Sequence, residues 1–391
     1  MSLLTFLIAI GYIPGIASYA SAGRWALIAI GGSVLLWGIR VQFGPGHLLG
    51  AFLIAYCAES VLWSFAPLDT IGQTLQMLFL ASIFCVAAAH QNLKSLQKCF
   101  DALAWGLIPS LVVGICQFFG YQPVRAVTEH VPGLFLSSNT MATIAVVSMI
   151  GSIAYRRYWH AIPGTALVFM NQSREAYVAL VLICLTASIR FLPNQKILRL
   201  LSLGGGFLFL ILLTISVLWL DLNYGHGRMT SVNDRLVFWQ LGLANITPTG
   251  WGLGSSVEIW PQFEHFHNEF IEYMFELGFG AFAILGIIVY ALTSESPAKW
   301  PLLTLLFTCL FNFNLHEPMG AFLFSLLTGH LIGDRDRSLG FQSVRRVLTW
   351  PDPAHREDVG VGAIFAPDLR RVMVSSGSQY PRYTRDFPQP V

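Results

Sequence analysis

Apolar stretches of about the length needed to cross a bilayer recur along the first 333 residues of this chain. A helix that spans the hydrocarbon core needs about 20 predominantly apolar residues. Charged residues make up only 11% of the 391-residue chain, whereas soluble domains contain roughly a quarter. The chain is therefore predicted to be an all-α integral membrane protein with about twelve transmembrane helices, near residues 2–20, 25–41, 46–66, 70–89, 100–120, 139–155, 159–172, 175–191, 200–220, 267–292, 300–315 and 317–333.

The positions of Lys and Arg predict how these helices are oriented, because cytoplasmic loops carry an excess of both residues. With the N-terminus in the cytoplasm, nine Lys or Arg residues of the membrane region fall on the inner side. Five fall on the outer side: Arg24, Arg125, Arg174, Arg228 and Arg235. Arginines kept against this bias are candidates for function. These arginines share the predicted outer face with His265, His267 and His316.

Two segments outside the spans complete the predicted organisation. The longest outer loop, residues 221–266, contains "NDRLVFWQLGLANI", which predicts an amphipathic helix capped by Asn233 and Asp234 and lying on the outer leaflet. The following "TPTGWGLGSS" predicts a turn that either exposes N–H groups to an anion or only connects two helices. Residues 334–391, with six prolines and no sustained period, are predicted to be a disordered cytoplasmic tail after the membrane domain 1–333.

Charge and cysteine content exclude some classes of partner. The net charge of +2 gives no reason to expect binding to nucleic acid. The six cysteines lie mostly in apolar runs without a C-x-x-C pair, which is typical of buried small side chains rather than of disulfides or a metal cluster. No cofactor is expected.

Residues 264–280, "EHFHNEFIEYMFELGFG", place histidines and carboxylates at the start of a predicted span. His267 and Asn268 are predicted to open this helix, where the helix dipole disfavours a charged imidazole. A neutral imidazole can act as the general base that a hydroxyl nucleophile requires. Glu269, Glu272 and Glu276 recur at helical spacing, so they share a face that must line protein or a wet cavity.

A metal site is the alternative interpretation of this segment, because His265, His267 and Glu269 could supply three ligands. Residues i and i+2 of a helix point nearly opposite ways, and no H-E-x-x-H spacing is present. A simple helix cap is a further alternative for His267. The prediction is that no metal ion is bound.

The segment "HFHNEFIEYMFELGFG", following an outer loop with "NDRLVFW", resembles the core of the O-antigen ligase and O-antigen polymerase superfamily. "GLFLSSNTMA", "NQSREAYVAL" and "FNFNLHEPMGAF" resemble further family stretches in the same order, so the resemblance covers most of residues 130–333. These bacterial enzymes lie in the cytoplasmic (inner) membrane with a periplasmic active site. They transfer glycans from undecaprenyl pyrophosphate.

The resemblance implies a multi-pass glycosyltransferase with His267 as the general base and Arg174 and Arg235 holding the pyrophosphate. The acceptor is lipid A core for a ligase or a second lipid-linked glycan for a polymerase. Ligases often continue His-Asn-x9-Gly-x-x-Gly, whereas this segment ends in Gly-Phe-Gly-Ala. The compact length and the single large outer loop favour the ligase, and the polymerase is the alternative. A transporter is the alternative of another class. The candidate substrate-binding residues are Arg174, Arg235, Asn268, Glu269, Glu272, His265, His316, Asn139 and Arg125.

Overall fold

The structure, a computed structural model, describes residues 1–10, 17–39, 44–89, 93–121, 134–135, 137–171, 173, 176–181, 228–260, 266–312 and 314–339. Helices account for most of these residues, and none of these residues lies in a β-strand. The all-α part of the prediction is therefore confirmed for the described residues.

Fourteen α-helices are numbered here in chain order within the described ranges. They are α1 Ser2–Ile10, α2 Ala17–Trp37, α3 Pro45–Ser60, α4 Pro67–Ala89, α5 Leu93–Gly106, α6 Ile108–Phe118, α7 Ser138–Ala154, α8 Ala161–Asn171, α9 Arg228–Ala244, α10 Ser255–Ile259, α11 Glu269–Leu277, α12 Ala281–Leu292, α13 Lys299–Cys309 and α14 Pro318–Ser338. Short 3₁₀ turns at Tyr158–His160 and Gly278–Gly280 lead into α8 and α12.

Three helices among the described residues are long and apolar enough to cross a membrane: Pro67–Ala89, Lys94–Phe118 and Glu269–Leu292. The last of these runs from α11 through the 3₁₀ turn into α12. The number of about twelve spans, their orientation and the position of the loop stay predictions. Shorter apolar helices cover residues 22–37 and 138–154.

The exterior and interior of the described helices differ as expected for a chain embedded in lipid. Ile30, Val34 and Trp37 lie on one face of α2 and are all strongly exposed, as is Leu68 on α4. Serine and threonine side chains, by contrast, are common among the buried residues, and Arg24, Asp336 and three glutamates are buried with them. Helices associating in lipid gain little from burying apolar surface, so packing and interhelical hydrogen bonds hold them together.

Arg24 was predicted to lie in an outer loop, and this prediction is wrong. Helix α2 begins at Ala17 and includes Arg24. Its side chain is 2% exposed. The guanidinium donates from Nε to the Ile8 carbonyl and from Nη2 to the Leu134 carbonyl, each at 3.1 Å. Arg24 therefore joins the end of α1 to the segment before α7, a structural role.

Two predicted boundaries are also wrong. Helix α9 begins at Arg228, so Asn233 and Asp234 lie inside the helix and do not cap it. Helix α14 continues past residue 333 to Ser338. The extension is held in place because Asp334 accepts a hydrogen bond from Ser294 Oγ at 2.6 Å. The predicted disorder of the tail from residue 340 onward lies outside the described residues.

Candidate functional site

Asn268 is the N-cap of α11, the helix that carries the three glutamates. Its Oδ1 accepts hydrogen bonds from the backbone N–H groups of Phe270 and Ile271 at 3.1 and 3.2 Å. Such caps satisfy N–H groups that have no intrahelical partner. The prediction that His267 opens the helix is wrong by one step, since His267 precedes the cap with a φ of 53°.

The three carboxylates of α11 share one face, as their spacing predicts. Glu269, Glu272 and Glu276 are each 0% exposed. Burying a charge costs several kcal/mol unless partners compensate for lost hydration. Buried carboxylates therefore need polar partners. Two such partners, His316 and Ser256, come from other parts of the chain.

His316 is the first of these partners and lies between α13 and α14. Its Nδ1 lies 2.8 Å from Glu269 Oε2, and its ring stacks on Tyr273 with centroids 5.3 Å apart. Glu269 Oε1 accepts hydrogen bonds from the backbone N–H groups of Leu315 and His316. Burial lowers the pKa of His316, but Glu269 and Glu272 raise it by more, so it stands well above its ordinary value.

Ser256 is the second partner. Its Oγ lies 3.0 Å from Glu272 Oε1 and 2.8 Å from Glu276 Oε1, so the hydroxyl can donate to either carboxylate. The Ser256 backbone N–H also donates to Glu276 Oε1 at 3.3 Å. These contacts lock the start of α10 against the second half of α11.

The glycine-rich turn before α10 brings Ser256 to this position. Gly250, Gly252 and Gly254 have φ values of 74°, 99° and 79°, which side chains rarely adopt. The N–H groups of Trp251 and Gly252 donate to the carbonyls of Phe275 and Glu276, at 3.2 and 2.9 Å. Those two N–H groups therefore satisfy the end of α11, and the interpretation of the turn as an anion-binding loop is wrong for them.

His267 lies against α9, the helix that carries Arg235. The Phe238 ring stacks on the His267 ring with centroids 6.4 Å apart. Next to it, Trp239 Nε1 donates to the Phe266 carbonyl at 3.0 Å. Arg235 is half-buried one helical turn before Phe238. The predicted base and one predicted pyrophosphate-binding arginine thus belong to two segments in direct contact.

Asn139 joins the same region through the segment that follows α13. Its Nδ2 donates to Asn312 Oδ1 at 3.3 Å. The ring of Phe311, one residue earlier, lies 6.2 Å from that of Trp239. Asn139 is one of the first residues of α7. The four stretches around residues 139, 238, 267 and 312 are therefore linked by side-chain contacts.

Three of the predicted site residues, Arg125, Arg174 and His265, lie outside the described residues. Of the others, Glu269, Glu272 and His316 form one buried cluster. Asn139, Arg235 and Asn268 lie in the contacting segments around His267. Sequence analysis placed Glu276 on the same face as Glu269 and Glu272 but not among the candidate site residues. It missed Ser256 and Tyr273, because only the fold shows that they lie beside the glutamates.

A metal ion could be held by Glu272, Glu276 and His316, whose ligand atoms all lie within 4.8 Å of one another. This is a different set from His265, His267 and Glu269, the metal alternative considered for the sequence. The ring of His316 also lines a small cavity beside Gln73 and Gln76.

An apolar cavity of about 80 Å³ lies beside this cluster, between α3, α4, α12 and α14. Tyr273 and Leu315 line both this cavity and the smaller one at His316, so the two adjoin. Comparisons with known protein families, with curated proteins and with solved structures found no match to this chain.

Proposed function

We propose that this protein is a membrane glycosyltransferase that moves a glycan from undecaprenyl pyrophosphate to a sugar hydroxyl. The reaction takes place on the periplasmic face of a bacterial inner membrane. The proposed acceptor is lipid A core, so the product is a surface polysaccharide attached to lipid. Polymerisation of lipid-linked repeat units is the alternative within the same chemistry.

The observation that supports this proposal is the contact among the stretches that carry the family resemblance. Phe238 and Trp239 of α9 contact His267 and Phe266. Trp239 also contacts Phe311, and the neighbouring Asn312 accepts a hydrogen bond from Asn139. Stretches that are far apart in sequence thus come together in the fold, as residues of one active site must.

In the proposed reaction, the acceptor hydroxyl oxygen attacks the anomeric carbon of the donor sugar. His267 takes the hydroxyl proton, and the bond between the anomeric carbon and the pyrophosphate oxygen breaks. Undecaprenyl pyrophosphate leaves with the electron pair. Arg235 and Arg174 hold its oxygens, because the planar guanidinium binds phosphate bidentately. No metal ion is needed at the pyrophosphate.

Arginines aimed at the leaving group act mainly in the transition state, where the pyrophosphate gains charge. Removing such a preorganised stabiliser costs about 2.7–4 kcal/mol of barrier in other enzymes. The proposed base contributes about 10²–10⁴-fold when positioned on the reacting proton.

The test is a reconstituted transfer assay. The purified chain in lipid nanodiscs receives an undecaprenyl-pyrophosphate-linked oligosaccharide together with lipid A core. Mass spectrometry then follows the glycosylated acceptor and the released undecaprenyl pyrophosphate. Stoichiometric formation of both supports ligation. Glycans of two or more repeats made from the donor alone, with the acceptor unmodified, assign polymerisation instead.

A transporter is the outcome that would contradict both enzyme assignments. In that case the donor is not consumed in nanodiscs, whether or not lipid A core is present. The same protein in sealed vesicles would instead move a labelled lipid-linked glycan between leaflets without breaking its pyrophosphate bond.

A further inference from the structure

His316 Nε2 faces two carboxylates across a gap that is too wide for a hydrogen bond. It lies 3.9 Å from Glu272 Oε1 and 4.0 Å from Glu276 Oε2, whereas N–H···O hydrogen bonds measure about 2.7–3.2 Å. Two donors bound to one tetrahedral zinc ion at 2.0–2.1 Å lie roughly 3.4 Å apart. Closing the gap by about half an ångström would thus give zinc-like spacing.

The opposite nitrogen of the same ring is already oriented by a carboxylate. His316 Nδ1 lies 2.8 Å from Glu269 Oε2, and Glu269 is itself fixed by the backbone N–H groups of Leu315 and His316. Metal-binding histidines almost always donate their second ring N–H to a carboxylate, carbonyl or water, which fixes the tautomer. Glu269 supplies this contact and leaves Nε2 facing Glu272 and Glu276.

Glu276 gives an independent observation that points to a ligand. The residue is 0% exposed, and its Oε2 accepts no hydrogen bond from any residue that the structure describes. That same oxygen is the atom aimed at His316 Nε2. A buried carboxylate oxygen without a donor carries a large desolvation penalty, which a bound cation would offset.

The other side of the cluster is held rigid. Ser256 Oγ lies within hydrogen-bond distance of both Glu272 Oε1 and Glu276 Oε1. The small cavity that His316 lines with Gln73 and Gln76 adjoins the cluster on one side. Bracing of this kind keeps ligands near their bound geometry.

We propose that Glu272, Glu276 and His316 bind one divalent ion of the zinc class, which replaces the Nε2 proton that the carboxylates otherwise hold on His316 and releases it to water. Two carboxylates with an imidazole form a ligand set that zinc uses, whereas magnesium prefers oxygen ligands and retains several waters. Three protein donors leave the fourth tetrahedral position to water. The ion holds α11 to the segment before α14. This inference does not rest on the proposed glycan transfer.

Metal content of the full-length protein tests the proposal without an activity assay. The chain is purified in detergent with a tag that lacks histidine, treated with chelator, incubated with ZnCl₂ and passed over gel filtration. One zinc per chain is expected. Retention of no zinc overturns the proposal.

Cobalt substitution tests which atoms bind the ion. The expected visible spectrum has the d–d bands of four-coordinate Co²⁺ with nitrogen and oxygen ligands. Bands from thiolate-to-cobalt charge transfer would assign the ion to cysteines and overturn the proposal. Because this measurement uses the unaltered protein, it decides the question even where a variant fails to fold.

Isosteric variants then test the individual ligands. Glu272→Gln and Glu276→Gln should each weaken zinc binding by at least about a hundredfold, since loss of outer-shell partners alone costs about 10–100-fold. Glu258→Gln, an exposed carboxylate on α10, is the matched control and should bind zinc as the unaltered chain does. Unchanged affinity in both cluster variants would place the ion elsewhere and refute the assignment.

Discussion

Glu269 and His316 are 47 residues apart in the chain, yet Glu269 Oε2 lies 2.8 Å from His316 Nδ1. The other carboxylate oxygen, Oε1, accepts hydrogen bonds from the backbone N–H groups of Leu315 and His316. One buried side chain therefore ties the first turn of α11 to the segment that precedes α14. Both oxygens of Glu269 have protein partners, so its contacts are those of a positioning residue.

The first prediction concerns this link. Glu269→Gln should destabilise the protein by about 1.5–3 kcal/mol, the range for hydrogen bonds to a charged group. Denaturant unfolding of the detergent-solubilised protein measures the loss. Glu258→Gln is the control, since a substitution at an exposed site should change stability by about 0.5 kcal/mol or less. Equal stability of the two variants would show that the contact is not needed for the fold.

The second prediction concerns the glycine-rich turn. A Cβ at Gly250 would lie 2.1 Å from the Glu276 carbonyl oxygen, and the residue has a φ of +74°. Gly250→Ala should therefore lower stability by at least about 1–3 kcal/mol, the cost of backbone strain alone.

Gly72→Ala is the control for the second prediction. A Cβ there meets nothing within 4 Å, and alanine favours a helix over glycine by about 1 kcal/mol. We expect this variant to be as stable as the unaltered chain or more so. A Gly250→Ala protein of equal stability would mean that the turn can move away from α11.

Apolar length and helical spacing were enough to predict the helical character of the chain. The predicted span at 70–89 lies within the observed helix Pro67–Ala89, and that at 267–292 nearly coincides with Glu269–Leu292. The ends of the helices were less predictable, because they depend on contacts with residues far away in the sequence. The buried Arg24 side chain donates hydrogen bonds to the carbonyls of Ile8 and the distant Leu134. From the sequence alone, Arg24 was placed in a loop.

The shared face of Glu269, Glu272 and Glu276 was predictable because it follows from one helical period. Their partners were not. Ser256 reaches them through a turn of glycines with positive φ. His316 arrives from a different part of the chain. Which imidazole meets the carboxylates depends on tertiary packing, and the spacing within residues 264–280 contains no information about it.

The third prediction concerns topology. Glu258 is exposed on α10, within the loop predicted to be periplasmic. Glu258→Cys, in a background without the native cysteines, should react with an impermeant thiol reagent in intact spheroplasts. Tyr158→Cys, at an exposed site in a predicted inner loop, should react only after the membrane is permeabilised. The reverse labelling pattern would invert the proposed orientation.

The fourth prediction concerns the proposed pyrophosphate contact. Arg235→Lys should slow glycan transfer by about tenfold or more, because lysine keeps the charge and loses the bidentate fork. Arg174→Lys should have a similar effect. Arg157→Lys is the matched control: its guanidinium pairs with Asp101 at 2.9 Å, beyond the end of α7 that lies opposite Asn139. Near-normal transfer by both test variants would refute the proposed role of the arginines.

The fifth prediction concerns His267 as the general base. His267 has a φ of 53°, so alanine would add backbone strain to the loss of the imidazole. Asparagine tolerates this conformation better than most residues, and glycine adopts it freely. His267→Asn should therefore reduce transfer by about 10²–10⁴-fold with little loss of stability. His265→Ala should be milder.

Rescue separates a missing base from a damaged site. His267→Gly leaves space beside the Phe238 ring, which stacks on the native imidazole. Added imidazole should restore part of the transfer by this variant, with a rate that rises with imidazole concentration. It should not stimulate Arg235→Lys, which retains the base. If His267→Asn transfers glycan normally, or if imidazole stimulates both variants alike, the proton acceptor is another group and His267 only shapes the approach to the Asn268 cap.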